Sequence, residues 1–180
     1  MSLKPVIALF MFCLVSGGII AAVYTITLEP IREQTSRREH EAIELLIPGF
    51  ADFSYEYIDE DSVLTRISTV YDAGGSTLGY IFFASPGGYG GRIDMMVAFD
   101  ISGEILGIRI INHTETPGLG SQITADWFTG QFMGRSGVLQ WSRNPQTSQE
   151  VDVIAHSTIS VNAVLRGVND AVEYFERNLR

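Results

Sequence analysis

The middle of the chain constrains the fold most, because it holds β-type segments separated only by short turns and a glycine-rich loop. The segments are 65–71, 78–84, 92–100 and 105–112, and a further β-type alternation begins at Phe53. Connections this short cannot hold the helix that joins parallel strands, so neighbouring strands must run antiparallel. We therefore predict an antiparallel meander in which 65–84 and 92–112 form hairpins.

Helical patterns surround this meander. Apolar residues repeat every three or four positions from Val161 to Phe175, which predicts a terminal helix with one buried face. A short helix is predicted over 123–132, and 134–149 is predicted to be a polar loop. Strands followed by helices in separate blocks indicate the α+β class, here an antiparallel sheet with flanking helices.

The N-terminal part of the chain has no charged side chain from Pro5 to Leu28. A helix of this length, at about 1.5 Å per residue, can cross a bilayer core of roughly 30 Å. A cleaved signal peptide would have a shorter apolar region. We predict that residues 1–28 form an uncleaved transmembrane anchor. Residues 29–50 are then a separate juxtamembrane helix, which begins near Pro30 and stops at Pro48-Gly49, and 51–180 form one domain.

The orientation of this anchor stays open. Lys4 lies before the apolar run, whereas Arg32, Arg37 and Arg38 follow it. A count of basic residues favours a cytoplasmic domain, but long domains cross a membrane regardless of flanking charge.

Composition narrows the range of partners. The net charge is −9 and the pI is about 4.7, so nucleic acid and anionic lipid would be repelled. Cys13 is the single cysteine, which leaves no internal disulfide or thiolate cluster, and the count of three histidines argues against a multi-histidine centre. We predict no metal site and no nucleic-acid partner.

Three stretches carry candidate binding residues. The first is Gly87-Gly88-Tyr89-Gly90-Gly91, where glycines let the backbone approach a planar ligand and Tyr89 can wall it. A tight connection between two strands is an alternative explanation of this loop. The loop does not match the dinucleotide-binding fingerprint, because its glycine spacing differs and no helix follows.

The second stretch is 113–120, which reads His-Thr-Glu-Thr-Pro-Gly-Leu-Gly. Its Pro-Gly pair suits a type II turn, and the polar side chains beside a strand end favour a ligand contact. A surface turn is the alternative.

The third stretch is 152–160, where a short apolar strand meets the terminal helix. Thr158 is predicted at the N-cap or in the first turn, between Ser157 and Ser160. Such a site favours phosphate, although a plain helix cap explains it equally.

Taken together and in this order, the three stretches resemble the FMN-binding domain family. Within it, nearly the whole chain is similar to the G subunits of Rnf electron-transport complexes. The C subunits of sodium-translocating NADH:quinone reductases are a sister group. The stretch Glu-Thr-Pro-Gly-Leu-Gly at 115–120 is the most specific part.

The resemblance implies a covalent flavin. In this family a flavin transferase uses FAD to attach FMN through a phosphoester to the threonine of a Ser/Thr-Gly-Ala-Thr motif, which by position is Thr158. His156 and Ser157 stand where the motif has glycine and alanine. Trp127 is a further candidate wall of the site. The expected cofactor-binding residues are Tyr89, Gly90, Glu115, Thr116, Leu119, Gly120, Ser157, Thr158, Ile159 and Ser160.

The resemblance also implies a role. The chain would relay electrons in a membrane complex that links reduced ferredoxin to an acceptor, typically NAD, while moving Na+ or H+. No catalytic residue is expected in such a relay. Its partners would be the other membrane subunits, the transferase and the bilayer, with the flavin domain outside the cytoplasm. Two alternatives remain: the sister quinone-reductase subunit, and a flavin-free anchored binding module, which His156 and Ser157 favour.

Overall fold

The computed structural model describes residues 4–58 and 62–180. It divides into two compact units, Met1–His40 and Glu41–Arg180. Helix α1 spans Lys4–Leu46 as a single element, where the sequence predicted two helices. The residues around Pro30 form helix readily, so α1 continues although proline removes one backbone donor. Over the described part of the chain, no helix has both the length and the apolarity of a membrane span.

The second unit is built on a five-stranded sheet in the order β1-β2-β3-β4-β5, with every neighbouring pair antiparallel. The predicted meander and both hairpins are confirmed. The strands are β1 Asp52–Tyr57, β2 Leu64–Tyr71, β3 Thr77–Ala84, β4 Ile93–Asp100 and β5 Ile105–His113.

Each face of the sheet has its own apolar core. Alternation along β3 sends Phe82 and Ala84 to one core and Ile81 and Phe83 to the other. The first core is closed by the terminal helix α3, Thr158–Asn178. The apolar repeat predicted for this helix is confirmed by its buried residues Val161, Val164, Leu165, Val168, Val172 and Phe175.

The other face is covered by residues that precede the sheet. Ala42, Ile43 and Ile47 are 1–4 % exposed and belong to the core that contains Val70 and Met96. The sequence prediction placed 29–50 outside the domain as a spacer. The end of that segment is instead part of the second unit, because the sheet needs apolar cover on both faces.

The segment after β5 contains several short elements where the sequence predicted one short helix and a polar loop. Short 3₁₀ turns at Gly120–Thr124 and Gly130–Phe132 flank the one-turn helix α2, Asp126–Thr129. The predicted polar loop contains strand β6, Gln140–Ser142, which pairs in parallel with β7, Glu150–Asp152. The Arg135 guanidinium holds this region by donating to the carbonyl oxygens of Ser148, at 2.7 Å, and Glu150.

Candidate functional site

A cavity of about 560 Å³ lies in the second unit where the three candidate stretches meet. Every site residue predicted from the sequence lines it except Gly90, and His156 lines it as well. Trp127, the candidate extra wall, is not among the lining residues. The cavity is formed by Tyr89, Glu115, Thr116, Leu119, Gly120, His156, Ser157, Thr158, Ile159 and Ser160.

The glycine loop joins β3 to β4, as its strand-connection interpretation predicted. The Gly88 N–H donates to the Gly91 carbonyl at 2.7 Å, and the Ile93 N–H donates to the Pro86 carbonyl at 2.9 Å. A side chain at Gly90 would place its Cβ 2.1 Å from the Thr114 carbonyl oxygen. Gly90 therefore packs the loop closely against the second stretch.

The second stretch turns as predicted. Gly118 has φ +77°, and the Leu119 N–H donates to the Thr116 carbonyl at 3.2 Å, as in a type II turn with Pro117 and Gly118 at its centre. This turn carries Leu119 and Gly120 to the cavity wall.

Glu115 connects all three stretches. This side chain is 5 % exposed. Its Oε1 accepts from the Gly90 N–H at 3.0 Å, and its Oε2 accepts from Ser160 Oγ at 2.5 Å. A Cβ on Gly120 would lie 2.5 Å from Oε2 and 2.7 Å from Ser160 Oγ, so a larger residue here would have to displace this hydrogen-bonded pair. The buried Glu115 side chain thus holds the glycine loop and the start of α3 together at the bottom of the cavity.

Apolar side chains wall the same cavity although they are solvent-accessible. Tyr89 is 71 % exposed, Ile159 is 54 % and Leu119 is 42 %. Exposed apolar groups gathered around one concavity are typical of a binding site for a partly apolar ligand.

The start of α3 supplies the polar end of the site. The prediction that Thr158 lies in the first turn is confirmed, because α3 begins there with Ser157 as its N-cap. The first bond of the helix runs from the Val161 N–H to the Ser157 carbonyl at 3.0 Å. The preceding N–H groups therefore lie at the positive end of the helix without an intrahelical acceptor. Thr158 itself is exposed.

The backbone at His156 and the burial of Ser157 are both suited to the small residues, glycine and alanine, that the resembled motif has at these two positions. His156 has φ +64°, a left-handed conformation that glycine adopts without strain. Ser157 is 4 % exposed, makes no capping hydrogen bond, and its Oγ has no hydrogen-bond partner. The sequence analysis marked both residues as departures from the motif, and it included Ser157, but not His156, among the expected cofactor-binding residues.

These features fit FMN. The cavity volume lies within the range of small-molecule sites, roughly 300–1,000 Å³. Its apolar walls suit a planar ring, and the helix N-terminus suits a phosphate. Ser157 is also among the lining residues, and its hydroxyl has no hydrogen-bond partner within the described chain.

The model of a family described as the FMN-binding domain matches residues 88–173 of this chain, which include most of the cavity lining. The chain belongs to the family of G subunits of ion-translocating oxidoreductase complexes.

Two relatives show this family membership. The G subunit of the proton-translocating ferredoxin:NAD(+) oxidoreductase complex of Clostridium ljungdahlii is 30 % identical over 162 residues, which covers 89 % of this chain and 84 % of that protein. The G subunit of the ion-translocating oxidoreductase complex of Pseudomonas aeruginosa strain PAO1 is 31 % identical over 194 residues, covering 98 % and 89 %.

A solved structure shares the fold. The C subunit of the Na(+)-translocating NADH-quinone reductase of Parabacteroides distasonis superimposes with a TM-score of 0.57 at 18 % identity, covering 72 % of this chain and 78 % of that one.

Proposed function

We propose that this chain is the electron-carrying flavoprotein subunit of a membrane-bound, ion-translocating ferredoxin:acceptor oxidoreductase, and that it holds FMN through a phosphoester to Thr158. The observation that carries the proposal is the position of Thr158. It is exposed at the first residue of α3 and lines the cavity that the three stretches form.

The attachment is a phosphoryl transfer from FAD. Thr158 would supply the hydroxyl oxygen that replaces AMP on the flavin-side phosphorus, with AMP as the leaving group and the hydroxyl proton released to solvent. The exposure of Thr158 allows a transferase to reach it. The product retains one negative charge, which the N-terminus of α3 stabilises by about 0.3–1 kcal/mol in an exposed setting.

The remaining residues hold the ligand. Tyr89, Leu119 and Ile159 would wall the flavin ring, while Thr116 and Ser157 offer hydroxyls to its polar atoms. Glu115 and Ser160 keep the cavity in shape through their hydrogen bond. Bound FMN would supply reversible electron transfer, and the chain's own contribution is to position it and to limit its contact with water.

We also propose that residues 5–28 anchor the chain in the cell membrane, with the flavin domain outside the cytoplasm. The uncharged run and the membership of the relatives in ion-translocating complexes support the anchor. The other membrane subunits of such a complex, the flavin transferase and the lipid bilayer are then the partners of this chain.

A denaturing gel tests the flavin link. The full-length chain is produced with a flavin transferase, denatured in acid and separated, and the band is viewed under ultraviolet light. Wild type is expected to keep yellow-green fluorescence, and Thr158→Val to lose it. Thr147→Val is the matched control, because Thr147 is exposed and lies away from the cavity; it should stay fluorescent.

The same gel decides between this proposal and a flavin-free binding module, which the departures at His156 and Ser157 favour. A wild-type band without fluorescence, from cells with an active transferase, would contradict the proposal and leave the module. Fluorescence that persists in Thr158→Val would move the attachment to another residue.

A further inference from the structure

Ser157 carries a hydroxyl that the folded chain does not use. Its Oγ is buried and has no hydrogen-bond partner, and the residue is 4 % exposed. An unpaired buried hydroxyl destabilises the folded state relative to a paired one, because it has lost its hydrogen bonds to water without gaining another. A serine in this state is destabilising unless something outside the chain pairs with it.

The usual partner of such a serine is the helix it precedes. A serine N-cap normally accepts a hydrogen bond from an N–H of the first turn. Ser157 occupies the N-cap of α3, yet its side chain makes no capping bond. Its φ of −130° and ψ of 30° lie outside the β-region that N-caps typically adopt. The hydroxyl is therefore free for another contact.

The cavity is where that contact is available. Ser157 lines it next to Thr158, whereas the neighbouring hydroxyl of Ser160 is already engaged by Glu115. We propose that Ser157 Oγ donates a hydrogen bond to the FMN carried by Thr158, so that this chain holds its cofactor with a contact that the alanine of the family motif cannot make. This inference rests on the proposed function.

If Ser157 Oγ bonds to the cofactor, removing this hydroxyl should change the Tm differently in the flavin-free and the flavinylated protein. The full-length chain is purified in mild detergent in two forms, from cells with and without the flavin transferase. Thermal unfolding is followed by far-ultraviolet circular dichroism. Ser157→Ala should raise the Tm of the flavin-free form by about 2–4 °C, because it removes an unpaired polar group. In the flavinylated form this gain should disappear or reverse.

Ser85→Ala is the matched control. It removes a partly buried hydroxyl that is paired within the chain, with Asp94, and that does not line the cavity, so it should lower the Tm of both forms by the same amount. Two spectra then identify the acceptor in the flavinylated pair of wild type and Ser157→Ala. A shifted ³¹P resonance assigns the bond to the phosphate, and a shifted visible absorption band assigns it to the ring.

The outcomes separate the two proposals. Wild type without flavin contradicts the proposed function itself. If wild type carries flavin but Ser157→Ala changes the Tm of both forms equally and shifts neither spectrum, the proposed role of Ser157 is wrong. The proposed flavin link to Thr158 is not contradicted by that result.

Discussion

At the scale of single residues, the backbone at position 156 explains the glycine of the family motif better than side-chain size does. A φ of +64° costs an ordinary L-residue about 1–2 kcal/mol. Histidine tolerates this region better than most residues, and β-branched residues tolerate it least. The chain can therefore keep the motif's backbone geometry while placing an imidazole beside the cavity.

Substitution at this position should follow backbone preference. We expect His156→Val to lower the free energy of unfolding by about 1–2 kcal/mol relative to His156→Gly, because only valine is strained at this φ. Urea unfolding of the flavin-free chain measures the difference. Ala155→Val is the control for adding a β-branched side chain at the neighbouring exposed position, where φ is not positive, and should change stability little. Equal midpoints for His156→Val and His156→Gly would contradict the interpretation.

At the scale of elements, the β4–β5 turn depends on a carboxylate at its first position. Asp100 Oδ1 accepts from the N–H groups of Ser102 and Glu104 at 2.8 and 2.9 Å, and Ser102 Oγ donates to both carboxylate oxygens. Burial by itself raises the pKa of Asp100, but these hydrogen bonds outweigh it and hold the pKa below its usual value of 3.8.

The turn also needs a glycine. Gly103 has φ +91°, and a Cβ there would lie 2.7 Å from Phe175 Cε1. The close approach packs the turn against α3.

The lowered pKa of Asp100 makes the turn sensitive to acid. A carboxylate with a depressed folded-state pKa adds stability above its unfolded pKa and loses it as the pH falls through the folded pKa. We expect Asp100→Asn to cost about 0.5–1 kcal/mol at pH 7, a small value because the turn is solvent-screened. The cost should shrink below pH 3.8, as measured by urea unfolding at several pH values.

Ser102→Ala tests the partner in this turn. With the hydroxyl donor gone, Asp100→Asn should cost less at pH 7 than in the wild-type background. A cost that stays constant from pH 7 to the acid range would show that the charge of Asp100 is not what stabilises the turn.

At the scale of the whole molecule, the second unit begins earlier than the sequence suggested. It starts at Glu41, and the buried side chains of Ala42, Ile43 and Ile47 cover one face of the sheet. Full burial of one isoleucine stabilises by about 1.5–3 kcal/mol. Removing this cover would expose Val70 and Met96 to water.

Two truncations test this boundary. We expect residues 41–180 to fold independently and to unfold cooperatively. Residues 51–180, which begin at the boundary predicted from the sequence, should be less stable by several kcal/mol and prone to aggregate, because one apolar sheet face is uncovered. Circular dichroism melts and size-exclusion chromatography compare the two. Equal stability would show that 41–50 is dispensable to the domain.

The sequence by itself determined much of this protein. Short turns forced antiparallel pairing, and the three-to-four-residue repeat from Val161 to Phe175 fixed the buried face of α3. Both signals are local, because turn length and side-chain period act within a few residues. Apart from His156, the residues that line the cavity could also be predicted, largely through the resemblance.

Only the tertiary structure decided how those residues meet. The bond between Glu115 and Ser160 joins positions far apart in the chain, and no local pattern encodes it. The pairing of β6 with β7, the cover that Ile43 and Ile47 give the sheet, and the unpaired hydroxyl of Ser157 likewise depend on what packs nearby. Whether a buried polar group finds a partner is a property of the assembled core, which forms only when distant segments come into contact.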